Sequence, residues 1–262
     1  LTQDHLDYHG TMENYRNVKK RLFTELLRDS HKARKFSIIN IDDPSGQEIA
    51  DEAAGEVITY SIDNPAASVY TFEHSIAGSG ISADVTTPWG RVEISSRLFG
   101  EHNLSNILAA ASAALATGST PNEVEDGLAR FSVVPGRLER VENSHGFEVL
   151  VDYAHTPDAL ENVLTAVRPL TPGRVILVFG CGGDRDRTKR PIMGRVGIEL
   201  SDVLIITSDN PRTESPGSIL DDVERGVRES RGAEEKAYFR IEDRRAAINE
   251  AVGIARPGDT VL

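Results

Sequence analysis

The segment Asp209-Asn210-Pro211-Arg212 places an acid, an amide and an arginine on one proline-stiffened turn. It follows the apolar run 202–207, which is typical of a buried parallel strand. In open α/β sheets, ligands bind outside the carboxyl ends of the strands. An arginine fork can bind a carboxylate through two parallel hydrogen bonds. The turn therefore suits a ligand with both an ammonium and a carboxylate, although a solvated surface ion pair fits the same residues equally well.

A second loop, residues 180–190, combines glycines with basic side chains. Glycine lets a backbone approach a ligand closely. The basic residues are Arg185, Arg187, Lys189 and Arg190. They make this loop locally positive, although the chain has a formal net charge of −12. We predict an anion site for phosphate or carboxylate here rather than a flexible charged loop. The spacing is not G-x-G-x-x-G, so the standard dinucleotide fingerprint is absent.

A third loop, residues 152–157, begins with Asp152, Tyr153 and His155, and Gly136-Arg137 lies a short distance before it. An aspartate at a strand end could accept a hydrogen bond from a ribose hydroxyl. Alternatively, Thr156 and Pro157 simply begin the next helix. Because each of the three loops follows a predicted strand, we expect all three to lie at one edge of the sheet and to form a single site.

The first half of the chain carries two further polar motifs. Asp4, His5, Asp7 and His9 lie within six residues and could bind a metal ion, but the same side chains also cap helix ends. Lys19 is, by itself, typical of a solvated surface. In the segment 99–106, Asn103 and Asn106 are three apart and would share a helix face. Asparagine can pair with a nucleobase edge, but a capped helix N-terminus explains the motif as well.

The elements that must position these residues differ between the two halves of the chain. The first half predicts a helix over 12–28, strands over 36–40, 57–61 and 68–72, a hairpin over 81–96, and helices over 102–117 and 121–130. The second half alternates strands (148–153, 174–180, 202–208, 237–241, 259–262) with helices (157–167, 190–200, 218–229, 243–255). We therefore predict an α/β fold with a parallel sheet in the second half and place the domain boundary near Pro135-Gly136, giving domains 1–135 and 136–262.

Composition excludes several classes of protein. The 262 residues are 39% hydrophobic and 27% charged, which is typical of a globular chain. No apolar run approaches the roughly 20 residues of a membrane span, and no signal peptide is visible. A pI near 5.1 argues against a nucleic-acid partner. The single cysteine, Cys181, suits a reducing compartment, so we expect a cytoplasmic protein with no membrane partner.

Taken together, the motifs resemble the Mur ligases of peptidoglycan synthesis along essentially the whole chain. They are Asp4–Gly10, Lys19, Glu101–Asn106, Gly136-Arg137, Asp152–Pro157, Gly180–Arg190 and Asp209–Arg212. Related ligases, including folylpolyglutamate and cyanophycin synthetases, share Asp152–His155. The segment Asp209–Arg212 is more specific, since it resembles the signature of members that add diaminopimelate. Lysine, which other members add, has no distal carboxylate for Arg212 to bind.

The resemblance implies the remainder of a central ATPase domain followed by a Rossmann-like C-terminal domain. It implies a monomeric ligase that joins meso-diaminopimelate to UDP-N-acetylmuramoyl-L-alanyl-D-glutamate in cell wall biogenesis. ATP would phosphorylate the substrate carboxylate, and the incoming amine would then attack the acyl phosphate. Mg²⁺ would hold the phosphates and offset their charge.

The resemblance also assigns residues in the first domain. His5 matches a metal-binding histidine, and Lys19 matches a lysine that becomes carbamylated. Carbamylation converts an ammonium into an anionic group able to support Mg²⁺. Asn106 matches an asparagine beside the adenine, and His102 belongs to the same ATP-binding segment.

In the second domain, the resemblance assigns two groups of residues. Arg137 and Asp152 match residues that reach the ATP nucleotide when the domains close. The residues implied to hold diaminopimelate are Arg185, Asp209, Asn210 and Arg212. The arginines would bind its distal carboxylate, and Asp209 would lie near its ammonium.

Parts of the family pattern are missing from the sequence. No G-x-x-x-x-G-K-[ST] phosphate loop is present, and neither is the uridine-nucleotide-binding N-terminal domain. The resemblance places both before Leu1 and a further glycine-glutamate segment after the final predicted strand. We therefore expect this chain to be a fragment that is inactive by itself. Two alternatives stay open: a truncated, non-catalytic binding module and a ligase that extends a polyglutamate-type chain.

Overall fold

The computed structural model describes residues 1, 6–77, 80–131, 134–230 and 235–262. The chain divides into two compact units, which are described separately below. The first unit is His9–Val133 together with Leu1. The second unit is Val134–Leu262 together with the described residues 6–8. Within the described ranges, no helix is both long and apolar enough to cross a membrane.

The first unit contains a five-stranded sheet in the order β1-β2-β3-β4-β5. The strands are β1 Phe36–Asn40, β2 Glu56–Ser61, β3 Val69–Ala77, β4 Gly80–Thr87 and β5 Gly90–Ser96. The first three run parallel, and β3, β4 and β5 form an antiparallel meander. The hairpin predicted over 81–96 is therefore confirmed, and each of its strands is slightly longer than predicted.

The helices of the N-terminal half are α1 Leu6–His9, α2 Met12–Arg21, α3 Leu27–Asp29, α4 Pro44–Glu52, α5 Glu101–Thr117 and α6 Pro121–Arg130. A π-helical turn, Leu22–Leu26, joins α2 to α3, so the helix predicted over 12–28 is present with one wider turn. Helix α5 ends at Gly118, which has φ of 114° and forms a left-handed C-cap. Helix α4 was not predicted, although Asp43 caps it and Pro44 begins it.

The second unit contains a six-stranded sheet in the order β10-β9-β8-β11-β7-β6. The strands are β6 Glu139–Arg140, β7 Glu148–Val151, β8 Val175–Phe179, β9 Val203–Ile206, β10 Ala237–Arg240 and β11 Thr260–Val261. All pairs are parallel except β6 with β7. The predicted parallel sheet is confirmed, with one short antiparallel strand added at its edge.

The helices of the second unit are α7 Pro157–Val167, α8 Lys189–Leu200, α9 Pro216–Glu229 and α10 Arg244–Ile254. All four residues of β9 are buried, as expected for a central parallel strand with both faces covered. Helices α8 and α9 pack with almost no space between their backbones. A Cβ atom on Gly226 would lie 1.8 Å from the carbonyl oxygen of Pro191, and one on Gly194 would lie 2.2 Å from that of Val223. Glycine at these positions allows the two helices to approach each other.

Candidate ligand-binding site

A cavity of about 440 Å³ opens at the carboxyl edge of the second sheet. Its walls come from the three loops that follow β7, β8 and β9, so the prediction that these loops lie at one edge of the sheet is confirmed. That they form a single binding site stays a prediction. A fourth wall comes from Arg244, which begins α10 just after β10. The volume lies in the range of small-molecule sites, roughly 300–1,000 Å³.

Seven charged side chains line this cavity. The acids are Asp152, Asp186 and Asp209, and the bases are Arg185, Lys189, Arg212 and Arg244. Both signs therefore face a small volume, whereas the chain as a whole is strongly acidic. Such a lining suits a ligand that carries cationic and anionic groups at the same time.

The turn Asp209–Arg212 is held in a defined shape by the loop that follows β8. Arg212 has a left-handed backbone with φ of 51°, and its N–H donates to the side-chain oxygen of Asn210 at 3.3 Å. The Gly183 N–H donates to the Asn210 carbonyl at 2.8 Å, and the Arg212 Nη1 atom donates to the Gly183 carbonyl. The backbone of Arg212 is therefore held in place, and its side chain lines the cavity. Asn210 stabilises the turn and does not line the cavity.

Arg185 and Asp209 are the least engaged of the predicted ligand-binding side chains. Both are exposed and line the cavity. Within the described residues, neither side chain forms a hydrogen bond or an ion pair, so a ligand would not have to displace an internal partner. Arg185 is available for a carboxylate and Asp209 for an ammonium, and these roles remain predictions.

The interpretation of all four basic residues in loop 180–190 as one anion site is wrong for two of them. Arg190 is fully buried and binds Glu214 and Asp222, and Arg187 lies 3.2 Å from Asp222. Glu214 lies in the loop after β9, and Asp222 lies on α9. Both are more than 20 residues from Arg190 or Arg187 in the sequence, so the charge pattern of loop 180–190 does not reveal them. Lys189 lines the cavity, but its Nζ atom donates to the carbonyl of His155 at 2.7 Å.

Asp152 has a structural role in addition to its predicted contact with the nucleotide. One carboxylate oxygen accepts from the Ala154 N–H and the other from the Leu138 N–H, each at 2.8 Å. Next to Leu138, the Arg137 guanidinium lies 5.2 Å from the centre of the Tyr153 ring, within cation–π range. The structure thus places Arg137 near Asp152, and the Thr156 side chain caps α7 as the alternative interpretation proposed.

Cys181 lines the cavity but is not suited to act as a nucleophile. Its side chain is buried at 3% exposure, and burial raises the pKa of the thiol to about 12. The cationic Lys189 and Arg190 nearby lower that pKa, but less than burial raises it. At neutral pH the sulfur is a thiol, which contacts the Met193 sulfur at 3.7 Å as part of the core.

The metal-binding and carbamate residues predicted in the first half receive no test from this geometry. His5 lies outside the described residues. Lys19 is exposed on α2 with its Nζ atom 5.4 Å from the Tyr15 ring centre, whereas Lys20 forms ion pairs with Glu48 and Glu52. In the described part of the chain, no group of three or more His, Cys, Asp or Glu side chains could hold a metal ion.

The asparagines at the start of α5 differ in their surroundings. Asn103 is buried, and its amide donates to the Phe99 carbonyl at 2.9 Å, so it stabilises the first turn of the helix. Asn106 is exposed and His102 is half-buried. Of the two interpretations that the sequence left open, Asn103 fits the structural one, and Asn106 stays a candidate for adenine.

Sequence reasoning missed two features of the site. Arg244 follows β10 as the other loops follow their strands, so the same strand-end rule would have found it. The half-buried partners Glu214 and Asp222 carry no such signal, because their separation from Arg190 along the chain fits no local spacing.

The fold and the cavity define a two-unit α/β protein with a charged cavity on the second unit. Residues 1–114 match the Mur ligase middle domain, and residues 136–262 match the Mur ligase glutamate ligase domain. The chain belongs to the Mur ligase family.

Individual relatives agree with this assignment. A UDP-N-acetylmuramoyl-L-alanyl-D-glutamate–2,6-diaminopimelate ligase of Geobacter metallireducens is 48% identical, over 100% of this chain and 53% of the relative. A solved structure of a ligase with the same name superposes with a TM-score of 0.60 at 34% identity, over 100% of this chain and 52% of the other. The chain thus spans about half the length of the relatives it matches.

More distant structures show the fold alone. A folylpolyglutamate synthase of Mycobacterium tuberculosis, solved with ADP and with AMPPCP, superposes with a TM-score of 0.77 at 20% identity. The superposition covers 100% of this chain and 59% of that one.

Proposed function

We propose that this chain forms part of an ATP-dependent ligase that adds meso-diaminopimelate to UDP-N-acetylmuramoyl-L-alanyl-D-glutamate. The observation that carries the proposal is that Asp209, Arg185 and Arg212 together line the cavity of the second unit. The curated relatives at 45–48% identity have names that specify the same reaction.

The chemistry of meso-diaminopimelate suits this lining. The molecule carries an ammonium and a carboxylate at each end, and the cavity offers carboxylates and guanidinium groups within one volume. Two arginines on the distal carboxylate would discriminate against lysine, which would leave both of them without an anionic partner. Asp209 would accept hydrogen bonds from the distal ammonium.

The proposed reaction has two steps. The γ-phosphate of ATP is transferred to the substrate carboxylate, which yields an acyl phosphate and ADP. The neutral amine of diaminopimelate then attacks the acyl carbon, the amide bond forms, and inorganic phosphate leaves with the electron pair of the broken C–O bond. ATP with Mg²⁺ would supply the phosphoryl group, and Lys19, His102, Asn106, Arg137 and Asp152 are the residues proposed to serve the nucleotide side.

The cellular setting belongs to the same proposal. The reaction would contribute to cell wall biogenesis in the cytoplasm, and the protein would act as a monomer. The single, buried Cys181 is consistent with a reducing compartment.

The test is steady-state phosphate release by the full-length product of the gene that encodes this chain. ATP and the UDP-linked dipeptide are held constant while diaminopimelate, lysine and glutamate are each titrated. We expect kcat/KM for diaminopimelate to exceed that for lysine by roughly 100-fold or more. A preference for glutamate would favour a polyglutamate-type ligase. Saturable binding of diaminopimelate without phosphate release would favour the binding module.

A further inference from the structure

Arg190, near the start of α8, connects three parts of the second unit through one guanidinium group. Its Nη2 and Nη1 atoms lie 2.7 and 3.0 Å from the two carboxylate oxygens of Glu214. Nη1 also donates to Asp222 on α9 at 3.0 Å, and Nη2 donates to the Gly182 carbonyl at 3.2 Å. A fully buried side chain thus fastens the loop after β8 to the segment after Arg212 and to α9.

Glu214 makes further contacts with both loops that Arg190 connects. Besides binding Arg190, its carboxylate accepts from the Asp184 N–H at 2.6 Å, and its own N–H donates to the Pro211 carbonyl at 3.0 Å. The hydrogen bond from Arg190 is the main reason that the pKa of Glu214 is lowered to about 2, so the carboxylate is ionised at neutral pH. The bridge is therefore a permanent ion pair under ordinary conditions.

The two cavity arginines lie directly beside this bridge in sequence. Arg185 follows Asp184, whose carboxylate accepts from the N–H and hydroxyl of Thr213 at 3.1 and 2.7 Å. Arg212 precedes Thr213 and donates from Nη1 to the Gly183 carbonyl. The backbone positions of both arginines are therefore set by the segments that Arg190 and Glu214 hold together.

We propose that the ion pair between the buried Arg190 and the half-buried Glu214 is a positioning device that sets the separation of Arg185 and Arg212, and thereby selects an amino acid with a distal carboxylate. The second half of this statement rests on the proposed function. Neither Arg190 nor Glu214 lines the cavity, so both are positioning residues that do not contact the ligand.

Stability alone does not account for the pair. Buried ion pairs contribute little compared with apolar side chains of similar volume, because desolvation offsets their attraction. The Nε atom of Arg190 is buried without a hydrogen-bond partner in the described part of the chain, which adds to that cost. A bidentate arginine–carboxylate contact does, however, fix direction as well as distance, which a positioning role requires.

The first test separates geometry from charge by exchanging Arg190 for lysine in the chain. Arg190→Lys keeps the positive charge but cannot make the two parallel hydrogen bonds. The matched control is Arg225→Lys, because Arg225 is 56% exposed and pairs with Asp222 from within α9. NMR-detected hydrogen exchange of the Gly183, Asp184 and Thr213 amides should accelerate at least tenfold in Arg190→Lys and less than twofold in the control. The amide of Val178 in β8 should keep its protection, which distinguishes loosened loops from global unfolding.

The second test is kinetic and uses the full-length gene product. Arg190→Lys should raise KM for diaminopimelate about 10- to 100-fold, because a displacement near 1 Å can cost that much. Both kcat and KM for ATP should stay within about twofold, and the preference for diaminopimelate over lysine should fall in proportion. Glu214→Gln should show the same pattern with a larger loss of thermal stability.

A further variant keeps the proposal testable if Arg190→Lys does not fold. A Cβ atom on Gly183 would lie 1.9 Å from the Pro211 carbonyl oxygen, so Gly183→Ala should force the same two loops apart without changing any charge. Unchanged loop exchange in every folded variant would overturn the proposal, as would accelerated exchange with unchanged discrimination between diaminopimelate and lysine. If the parent enzyme does not use diaminopimelate, the proposed function and the selectivity clause fail together, and the exchange data still decide whether the pair positions the loops.

Discussion

The carboxylate of Asp152 accepts a hydrogen bond from the backbone N–H of Leu138 at 2.8 Å. Leu138 has φ of 45°, a left-handed backbone conformation that residues other than glycine rarely adopt. The aspartate therefore stabilises a strained residue next to Arg137 and at the same time lines the ligand cavity. One side chain thus connects the conformation before β6 with the site at the end of β7.

Replacing Asp152 should test its structural role directly. Asp152→Ala leaves the N–H groups of Leu138 and Ala154 without their acceptor, so we expect a loss of about 1–3 kcal/mol in the free energy of unfolding. The control is Glu161→Ala, at an exposed site on α7 where Glu161 forms no hydrogen bond or ion pair with any described residue. A change below about 0.5 kcal/mol is expected there. Urea unfolding followed by circular dichroism measures both, and equal values for the two variants would contradict the structural role.

Arg212 should affect the use of diaminopimelate far more than the use of ATP. Removing a charge-assisted hydrogen bond to a carboxylate costs about 1.5–3 kcal/mol, so Arg212→Ala should raise KM for diaminopimelate roughly 10- to 100-fold. Arg228→Ala is the matched control, since Arg228 is exposed on α9 and pairs with Glu224 outside the cavity. Steady-state kinetics on the full-length gene product would measure both constants. Equal losses for diaminopimelate and ATP would contradict the assignment of Arg212 to the amino-acid pocket.

Lys19 and Lys20 form a matched pair for the carbamate prediction. Lys20 forms ion pairs with Glu48 and Glu52, whereas Lys19 forms none within the described residues. In the full-length gene product, Lys19→Ala should lower kcat at least about 100-fold, and Lys20→Ala should change it only slightly. A carbamate signal in ¹³C NMR after addition of labelled bicarbonate should be present in Lys20→Ala and absent in Lys19→Ala. Normal turnover of Lys19→Ala would show that the carbamate–metal role is wrong.

The Arg190–Glu214 pair should make part of the stability depend on acid pH. The pKa of Glu214 falls from an ordinary 4.5 to about 2 on folding, so the folded state favours the ionised form. Its contribution to stability is therefore complete above about pH 4.5 and is lost as the pH falls towards 2. The difference in unfolding free energy between the parent chain and Glu214→Gln should shrink over this interval. Denaturant titrations at several pH values, with Glu161→Gln as the control, would measure it, and a difference that stays constant would contradict the assigned pKa.

Two glycines in the helices of the second unit should respond in opposite directions to alanine. Gly226→Ala places a Cβ atom 1.8 Å from the Pro191 carbonyl, so α8 and α9 must separate, at a cost of about 1–3 kcal/mol. Gly253 on α10 has no described atom within 4 Å of the corresponding position, so Gly253→Ala should stabilise by about 0.5 kcal/mol. Thermal unfolding of the two variants gives the comparison. A stabilising Gly226→Ala would contradict the tight packing of α8 against α9.

Hydrophobic pattern and turn chemistry predicted the fold well where each element could be recognised from its own residues. The apolar run 202–207 contains β9, and Thr156-Pro157 begins α7, because burial and capping act within a few residues. Helix α4 was missed because its polar sequence lacks a long apolar stripe. The two-residue strand β6 was missed because so short a pairing leaves no pattern of alternation.

The location of the candidate site could be predicted from the sequence, but the pairing of its charged side chains with residues distant in the sequence could not. The shared edge of three loops followed from the rule for parallel strands, and so did the position of Arg212. The burial of Arg190 in an ion pair could not be predicted in this way, because its partners Glu214 and Asp222 come near it only when α8 and α9 have packed together. Sequence can identify which side chains could bind an anion, and tertiary neighbours determine which of them are already neutralised.

The position of β11 has a consequence for synthesis on the ribosome. Thr260 and Val261 are the last strand in chain order, yet they pair with both β7 and β8 in the interior of the sheet. Until these residues have left the exit tunnel, β7 has only the short β6 as a partner, and one edge of β8 stays open. Among the described strands, β7 and β8 can therefore be joined through β11 only after translation has passed Val261, and the nascent chain exposes two unpaired strand edges until then.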